Sequence, residues 1–423
     1  MSSLKVNYKQ IEKNKNEIRF DIIGDNKNGL DKSIINSLRK ILLTEIKTLA
    51  FDSEMIYIEK NTGSMHNEFL KDRLALIPLY LDPETFDYDF IFEINIKNKD
   101  EPIKEITTED FIIYPIDKHT KFLANKQNDI ISSGGLIPED EDIYKKIKEN
   151  PLEYFNMNQP VSDKVKDDIL RPFVFDKKKY YITISELKLT NSEKDLQEIK
   201  LYCIPKKGIG LEHAKYNNIS KSIYTFKIDN KLVTSECNKS IKLNNIPTKD
   251  RASYKKTFAI NHSERYYFRD IINEPYIYEF TIKSNHFNDC SKLFILSIDI
   301  LINNFDNFKN KLEKINKIED YDIAKIENKK PNVYQISIKN ESHNTLSILQ
   351  SYFSRYYINS DSFISVLGYK QYHPLDNIML INLIINPNDL EEIQQTNYII
   401  ESIVKVIDNI TSDLNLMKTK WNL

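Results

Sequence analysis

The chain has 423 residues, 40% hydrophobic and 29% charged, with 60 Lys/Arg against 62 Asp/Glu. This length suffices for two to three domains with sizeable cores, and the net charge of −2 gives the chain as a whole no basic footprint, which argues against nucleic-acid binding as its main role. Cys203, Cys237 and Cys290 lie far apart, which excludes CxxC-type zinc spacing and argues against a secreted disulfide framework.

The first twenty residues lack an apolar core of signal-peptide length, and no run reaches the ~18 apolar residues of a membrane span. Residues 17–23, EIRFDII, read as a strand, and Gly24 to Gly29 as a turn. Residues 34–51, IINSLRKILLTEIKTLAF, read as a helix ending in a turn, capped by Asp31 or Ser33. Ile34, Ile35, Leu38, Ile41, Leu42 and Ile46 fall at helical spacing, with Arg39 and Lys40 on the flank. A strand at 54–59 and a helix at 66–76 follow, the helix carrying Phe69, Leu70, Leu74 and Ile77, with Pro78 as its stop.

Residues 80–265 read as a β-rich middle, with strands at 90–96, 111–116, 180–189 and 222–228 and a polar, irregular surface insertion at 117–172. A strand at 277–283 precedes a long amphipathic helix with Leu293, Phe294, Ile298, Leu301, Phe305, Phe308 and Leu312 in register. Residues 313–331 are charged and read as a linker. Beyond it the theme repeats: a strand at 332–338, a helix with Leu346, Leu349, Tyr352, Phe353 and Tyr356, strands at 362–369 and 377–385, and a long helix with Ile403, Val406, Ile407 and Ile410. The expected fold class is therefore α+β. Two domains, each a small sheet plus two helices, pair within one chain, and a β-rich domain is inserted in the first. The expected boundaries are 1–52 with 266–315, 53–265, a linker at 316–330, and 331–423.

Four stretches carry a resemblance. Asn36-Ser37-Leu38-Arg39-Lys40-Ile41-Leu42-Leu43-Thr44-Glu45, Asn67-Glu68-Phe69-Leu70 to Arg73-Leu74-Ala75-Leu76-Ile77-Pro78-Leu79, Gly208-Ile209-Gly210-Leu211-Glu212-His213-Ala214-Lys215-Tyr216, and Tyr278-Glu279-Phe280 before a long helix resemble the alpha-like subunits of DNA-directed RNA polymerases. Residues 1 to about 315 look like the third subunit of eukaryotic RNA polymerase II. The last ~95, with Gly368-Tyr369-Lys370-Gln371-Tyr372-His373-Pro374-Leu375, look like the eleventh. Departures are Asp72 for the family histidine, Tyr216 for a tryptophan, a blurred start to the helix at Thr345-Leu346, and no cysteine in 80–110, so a zinc site is not carried over. Both partners on one chain resemble the fusions of nucleocytoplasmic large DNA viruses.

The resemblance implies a non-catalytic scaffold without cofactor or metal, forming an intramolecular pseudo-dimer that docks the second-largest and then the largest polymerase subunit. It assigns Asn36, Arg39, Lys40 and Glu45 to the second-largest subunit. It assigns Leu38, Ile41, Leu42, Leu293, Ile298, Leu301, Leu346, Leu349, Phe353, Ile403, Val406 and Ile410 to pairing. Motif positions are Arg73, Pro78, Gly208, Gly210, His213, Lys215, Gly368, Tyr369, His373 and Pro374. Other small subunits are expected partners, DNA is reached only through the complex, and the expected location is the virion and host cytoplasm, with the nucleus as alternative. A second reading is a stand-alone mimic that regulates or sequesters polymerase subunits. His213 as a catalytic base lacks a nearby nucleophile motif, and Gly208-Ile209-Gly210 lacks the context of a phosphate loop.

Overall fold

The computed structural model describes residues 4–14, 16–27, 29–86, 90–115, 159–190, 195–284, 289–314, 324–358, 362–373, 375–387 and 390–422. It divides into two compact units, Met1–Glu45 with Ile219–Ser284 and Asp289–Leu423, and Ile46–Asn218.

The first unit opens with a hairpin of β1 (Asn7–Asn14) and β2 (Glu17–Ile23). β1 is absent from the sequence expectations. Ile18, Phe20 and Ile22 alternate into the core, as one buried sheet face requires. Asp31 caps α1 (Lys32–Thr44), its Oδ1 accepting from the Ser33 N–H at 2.8 Å. Ile34, Ile35, Leu38, Ile41 and Leu42 form the buried stripe. The helix is shorter than expected: Lys47–Phe51 is not its tail but the start of a strand.

That strand, β3 (Lys47–Asn61), begins the second unit. α2 (Asn67–Ala75) buries Leu70 and Leu74 but leaves Phe69 68% exposed, contrary to its expected place on the apolar face. Then come β4 (Phe90–Lys97), β5 (Ile103–Thr107) and β6 (Ile112–Pro115). Of the expected insertion at 117–172, residues 117–158 lie outside the described ones. Its end is not irregular: α3 (Asp163–Ile169) sends Ile169, with Leu170, into the core. A hairpin of β7 (Phe173–Phe175) and β8 (Lys178–Tyr180), then β9 (Thr183–Lys188) and β10 (Glu198–Ile209), complete the unit. The sheet order is β3-β10-β4-β6, with β5-β9 apart. Phe51, Phe92 and Phe111 meet in its core, with centroids 5.0–5.9 Å apart.

The chain re-enters the first unit at β11 (Ile219–Phe226), which pairs with β12 (Ile277–Ser284) in a sheet ordered β1-β2-β12-β11. Residues 219–265 therefore do not belong with the inserted segment, and 46–52 do. Nor is 227–265 β-rich: it holds α4 (Asn230–Leu243) and α5 (Arg251–His262), whose small core is Cys237, Ile241 and Phe258. α6 (Cys290–Lys314) follows. Residues 324–330, expected within a linker, form β13 (Ala324–Lys330), antiparallel to β14 (Val333–Lys339); 316–323 lie outside the described residues. α7 (His343–Tyr352), β15 (Ile364–Lys370), β16 (Ile378–Ile385) and α8 (Glu392–Thr419) close the unit, with sheet order β13-β14-β16-β15.

Within this unit α6 packs along α8, and α1 against α6 and α7. All twelve residues expected at the pairing seam are 2% exposed or less. At ~25 cal/mol per Å² of apolar surface, each contributes about 1.5–3 kcal/mol to burial before entropy is charged. Polar ties flank the seam. Ser351 Oγ donates to Asp31 Oδ2 at 2.6 Å, Lys309 Nζ to Asp408 Oδ1 at 2.6 Å, and Lys418 Nζ to Asp299 Oδ1 at 2.6 Å. Tyr8 Oη donates to the Met417 carbonyl at 3.1 Å, and the Trp421 ring lies 4.5 Å from Phe294 and 4.9 Å from Tyr8 and from Phe20.

Candidate functional site

The outer flank of α1 carries the four residues expected to meet a partner. Arg39 Nε donates to Asn36 Oδ1 one turn earlier at 3.1 Å, so the amide orients the guanidinium. The Arg39 carbonyl accepts from Ser222 Oγ at 3.2 Å, keying the helix to β11. Arg39 and Lys40 are half-buried, and among the described residues neither has a carboxylate partner. A cation held in place yet unpaired is suited to a charge-assisted contact from outside. Glu45 differs. Its Oε2 accepts from Asn304 Nδ2 on α6 at 3.0 Å, so this carboxylate is engaged within the chain.

The Gly208–Tyr216 motif builds a compact polar site in the second unit. A Cβ on Gly208 would sit 2.4 Å from the Tyr216 ring, so only glycine admits the ring against this strand. Tyr216 Oη and Lys215 Nζ both donate to Asp52 Oδ2 at 2.9 Å, Lys206 Nζ lies 4.0 Å away, and the Tyr216 carbonyl accepts from Thr48 Oγ1. Burial alone would raise the Asp52 carboxyl. Hydrogen bonds from Lys215, the Glu54 N–H and Tyr216, with the Lys215 charge, outweigh it and hold the group at about 2. His213 caps the Ala214–Tyr216 turn, its Nδ1 accepting from the Lys215 N–H at 3.1 Å. The ring nitrogen is spent on backbone, which fits a structural role and not a catalytic base. Gly210 leads into this turn. Arg73, exposed on α2, reaches the Thr183 carbonyl with Nη2 at 2.7 Å and ties the helix to β9, and Pro78 follows the Leu76 cap.

In the last stretch, Gly368 on β15 has open space where a Cβ would stand. Tyr369 lies 5.7 Å from the His343 ring, and His343 Nε2 is 3.0 Å from Gln371 Oε1. His373 Nδ1 accepts from the Leu375 N–H at 3.2 Å, a local turn bond; Pro374 lies outside the described residues. Among the described residues no three His, Cys, Asp or Glu side chains converge as metal ligands.

Sequence reasoning missed one constellation. Arg355, just after α7, is ion-paired with Asp270, and these side chains are 13% and 0% exposed. Asp270 Oδ1 accepts from the Ile272 and Glu274 N–H groups at 3.0 and 2.9 Å. Gly29, at φ +67°, leaves the room: a Cβ there would fall 2.2 Å from Arg355 Nη2 and 2.4 Å from Asp270 Oδ2. The sequence signal was only a glycine in a turn.

Residues 27–350 match the model of the RNA polymerase Rpb3/Rpb11 dimerisation domain. Over 215 residues, 51% of this chain and 52% of the relative, the sequence is 27% identical to the human DNA-directed RNA polymerases I and III subunit RPAC1. The Dictyostelium discoideum subunit of that name is 26% identical over 216 residues, 49% of each chain. The Pyrobaculum arsenaticum DNA-directed RNA polymerase subunit Rpo3 is 41% identical over 51 residues, 12% of this chain and 19% of the relative. The chain spans about half the length of the first of these relatives. They are alpha-like subunits, non-catalytic assembly components of their complexes.

Proposed function

The chain belongs to the RNA polymerase Rpb3/Rpb11 dimerisation domain family, and from that premise we propose that it is an assembly subunit of a DNA-directed RNA polymerase with no chemistry of its own. One observation carries the reading: α6 packs along α8 and α1 against α7 inside a single chain. The segments before and after residues 316–323 thus act as the two members of a family pair, an intramolecular pseudo-dimer. Connection through one chain holds the halves at high effective concentration and removes the bimolecular cost of pairing. The Asn36-oriented Arg39, with Lys40, docks the second-largest polymerase subunit, and the largest subunit joins next. The setting is viral transcription, in a virion and cytoplasmic factory.

Two measurements test this. Light scattering on the purified chain should give a monomer of 49.9 kDa; an obligate dimer would overturn the internal pairing. Affinity purification at high salt should recover both large polymerase subunits in equal amounts. Arg39→Glu should weaken capture of the second-largest subunit by about tenfold or more, as expected for a lost charge-assisted contact of ~1.5–3 kcal/mol, while the chain stays folded. Unchanged capture would refute the assigned surface.

A further inference from the structure

The near-neutral charge of the chain is unevenly spread. Residues 227–269 hold ten Lys/Arg against four Asp/Glu. This tenth of the chain carries a net +6, and with −2 overall the remainder carries −8.

These residues include α4 and α5, a braced pair. Asp229 Oδ1 caps α4 by accepting from the Lys231 and Leu232 N–H groups at 2.9 and 3.2 Å. Ser240 Oγ and Tyr254 Oη join the helices at 2.7 Å over the core of Cys237, Ile241 and Phe258. With the apolar stripe facing inward, Lys231, Lys242, Lys249, Lys255 and Lys256 are all exposed. None of the five has a carboxylate partner among the described residues. The neighbouring lysines differ: Lys227 is engaged by Asp21 and Glu279, and Lys239 by Glu236.

We propose that this helical pair is a contact surface for the phosphate backbone of nucleic acid. Five ammonium groups without a carboxylate partner, four on the braced helices and Lys249 in the turn between them, form a local polyanion site in an otherwise acidic chain. The alternative polyanion, an acidic protein, fits less well: lysine is depleted and arginine enriched where proteins meet each other, and here the exposed cations without a carboxylate partner are five lysines against three arginines, of which Arg251 is held by the Ile246 carbonyl and Arg269 by Asn273 and the Arg265 carbonyl. A lysine ammonium neutralises a phosphate as a point charge without fixed bidentate geometry, so the contact is independent of base sequence. The contact itself does not rest on the polymerase reading. Within a polymerase that already holds DNA, the second attachment would act at high effective concentration.

The test is fluorescence anisotropy of the full chain with a labelled duplex of about 25 base pairs. If three to five lysines each neutralise a phosphate, raising salt from about 50 to about 200 mM should weaken binding by about 40- to 500-fold. Lys242→Glu/Lys255→Glu/Lys256→Glu should weaken it at least about tenfold at the lower salt, with circular dichroism and Trp421 fluorescence unchanged. Lys177→Glu/Lys178→Glu, exposed at the β7–β8 hairpin, should leave it unaltered. The proposal is overturned if the wild-type chain does not bind at the lower salt, if the triple variant binds within about twofold of wild type, or if the hairpin variant loses as much. It is equally overturned if a poly-glutamate peptide of matched charge binds more tightly than the duplex, which would make the occupant an acidic protein.

Discussion

Arg355→Ala should loosen the first unit by an amount that the surroundings of Asp270 set. The Asp270 side chain is fully buried, and its Oδ2 takes the Arg355 guanidinium. Stripping one partner from a buried ion pair costs about 3–5 kcal/mol, because the remaining charge is left uncompensated. Here the Ile272 and Glu274 N–H groups still hold the other carboxylate oxygen, which places the cost near the low end, about 3 kcal/mol. The guanidinium also lies 5.5 Å from the Tyr356 ring centre, and part of that loss is the cation–π term of about 0.5–1 kcal/mol. The chain supplies its own reporter. Trp421 is the sole tryptophan, and its ring touches Tyr8, Phe20 and Phe294. Urea unfolding followed by its fluorescence should show a midpoint lower by about 1–2 M, for an m value of ~2 kcal/mol/M. Asp270→Ala and the double variant complete a cycle, with an expected coupling of about 2 kcal/mol. A coupling under about 0.5 kcal/mol would refute the reasoning: the pair would then be water-screened, and apolar packing alone would hold α7 in place.

Other outcomes follow from the same geometry. Gly208→Ala drives a methyl into the Tyr216 ring and should lower the stability of the second unit by about 1–3 kcal/mol, read by thermal unfolding. The Asp52 carboxyl sits at about 2, below its ordinary 3.8. Its stabilising contribution is therefore present above 3.8 and lost as pH falls through about 2. Asp52→Asn should cost about 1–2 kcal/mol at neutral pH, and the gap from wild type should close towards pH 2; a gap independent of pH would sink the assignment. Trp421→Ala removes a ring packed on three others and should cost about 3 kcal/mol, measured by circular dichroism.

Much of the architecture was readable because long helices announce themselves. The stripes of α1, α6 and α8 repeat for three to seven turns, and each buried residue expected there is buried. α4 and α5 were missed because their apolar signal is short: Val233, Cys237 and Ile241 on one, Tyr254 and Phe258 on the other. β1, NYKQIEKN, sits at a sheet edge with nearly every side chain exposed, so it lacks the alternation that marks a half-buried strand. Lys47–Phe51 reads as helix locally but is claimed as strand by its partners Pro205–Ile209 in β10, a pairing no local pattern contains. Likewise Glu45 was assigned outward because nothing in its neighbourhood foretells Asn304, 259 residues on. The Arg355–Asp270 pair, separated by 85 residues, was invisible for the same reason.

The clasp around Trp421 has a consequence in time. Tyr8 finds its acceptor at Met417, 409 residues later, and Phe20 and Phe294 await the same indole. At a synthesis rate of about 5–20 residues per second, that interval lasts about 20–80 s. Throughout it, the part of the first hairpin that packs on the indole stays uncovered on the ribosome. The second unit, bounded by Ile46 and Asn218, has all its strands long before then. The chain is thus made as a finished insert held inside an unfinished frame, and a chaperone that shields aromatic surface would find its target in the frame.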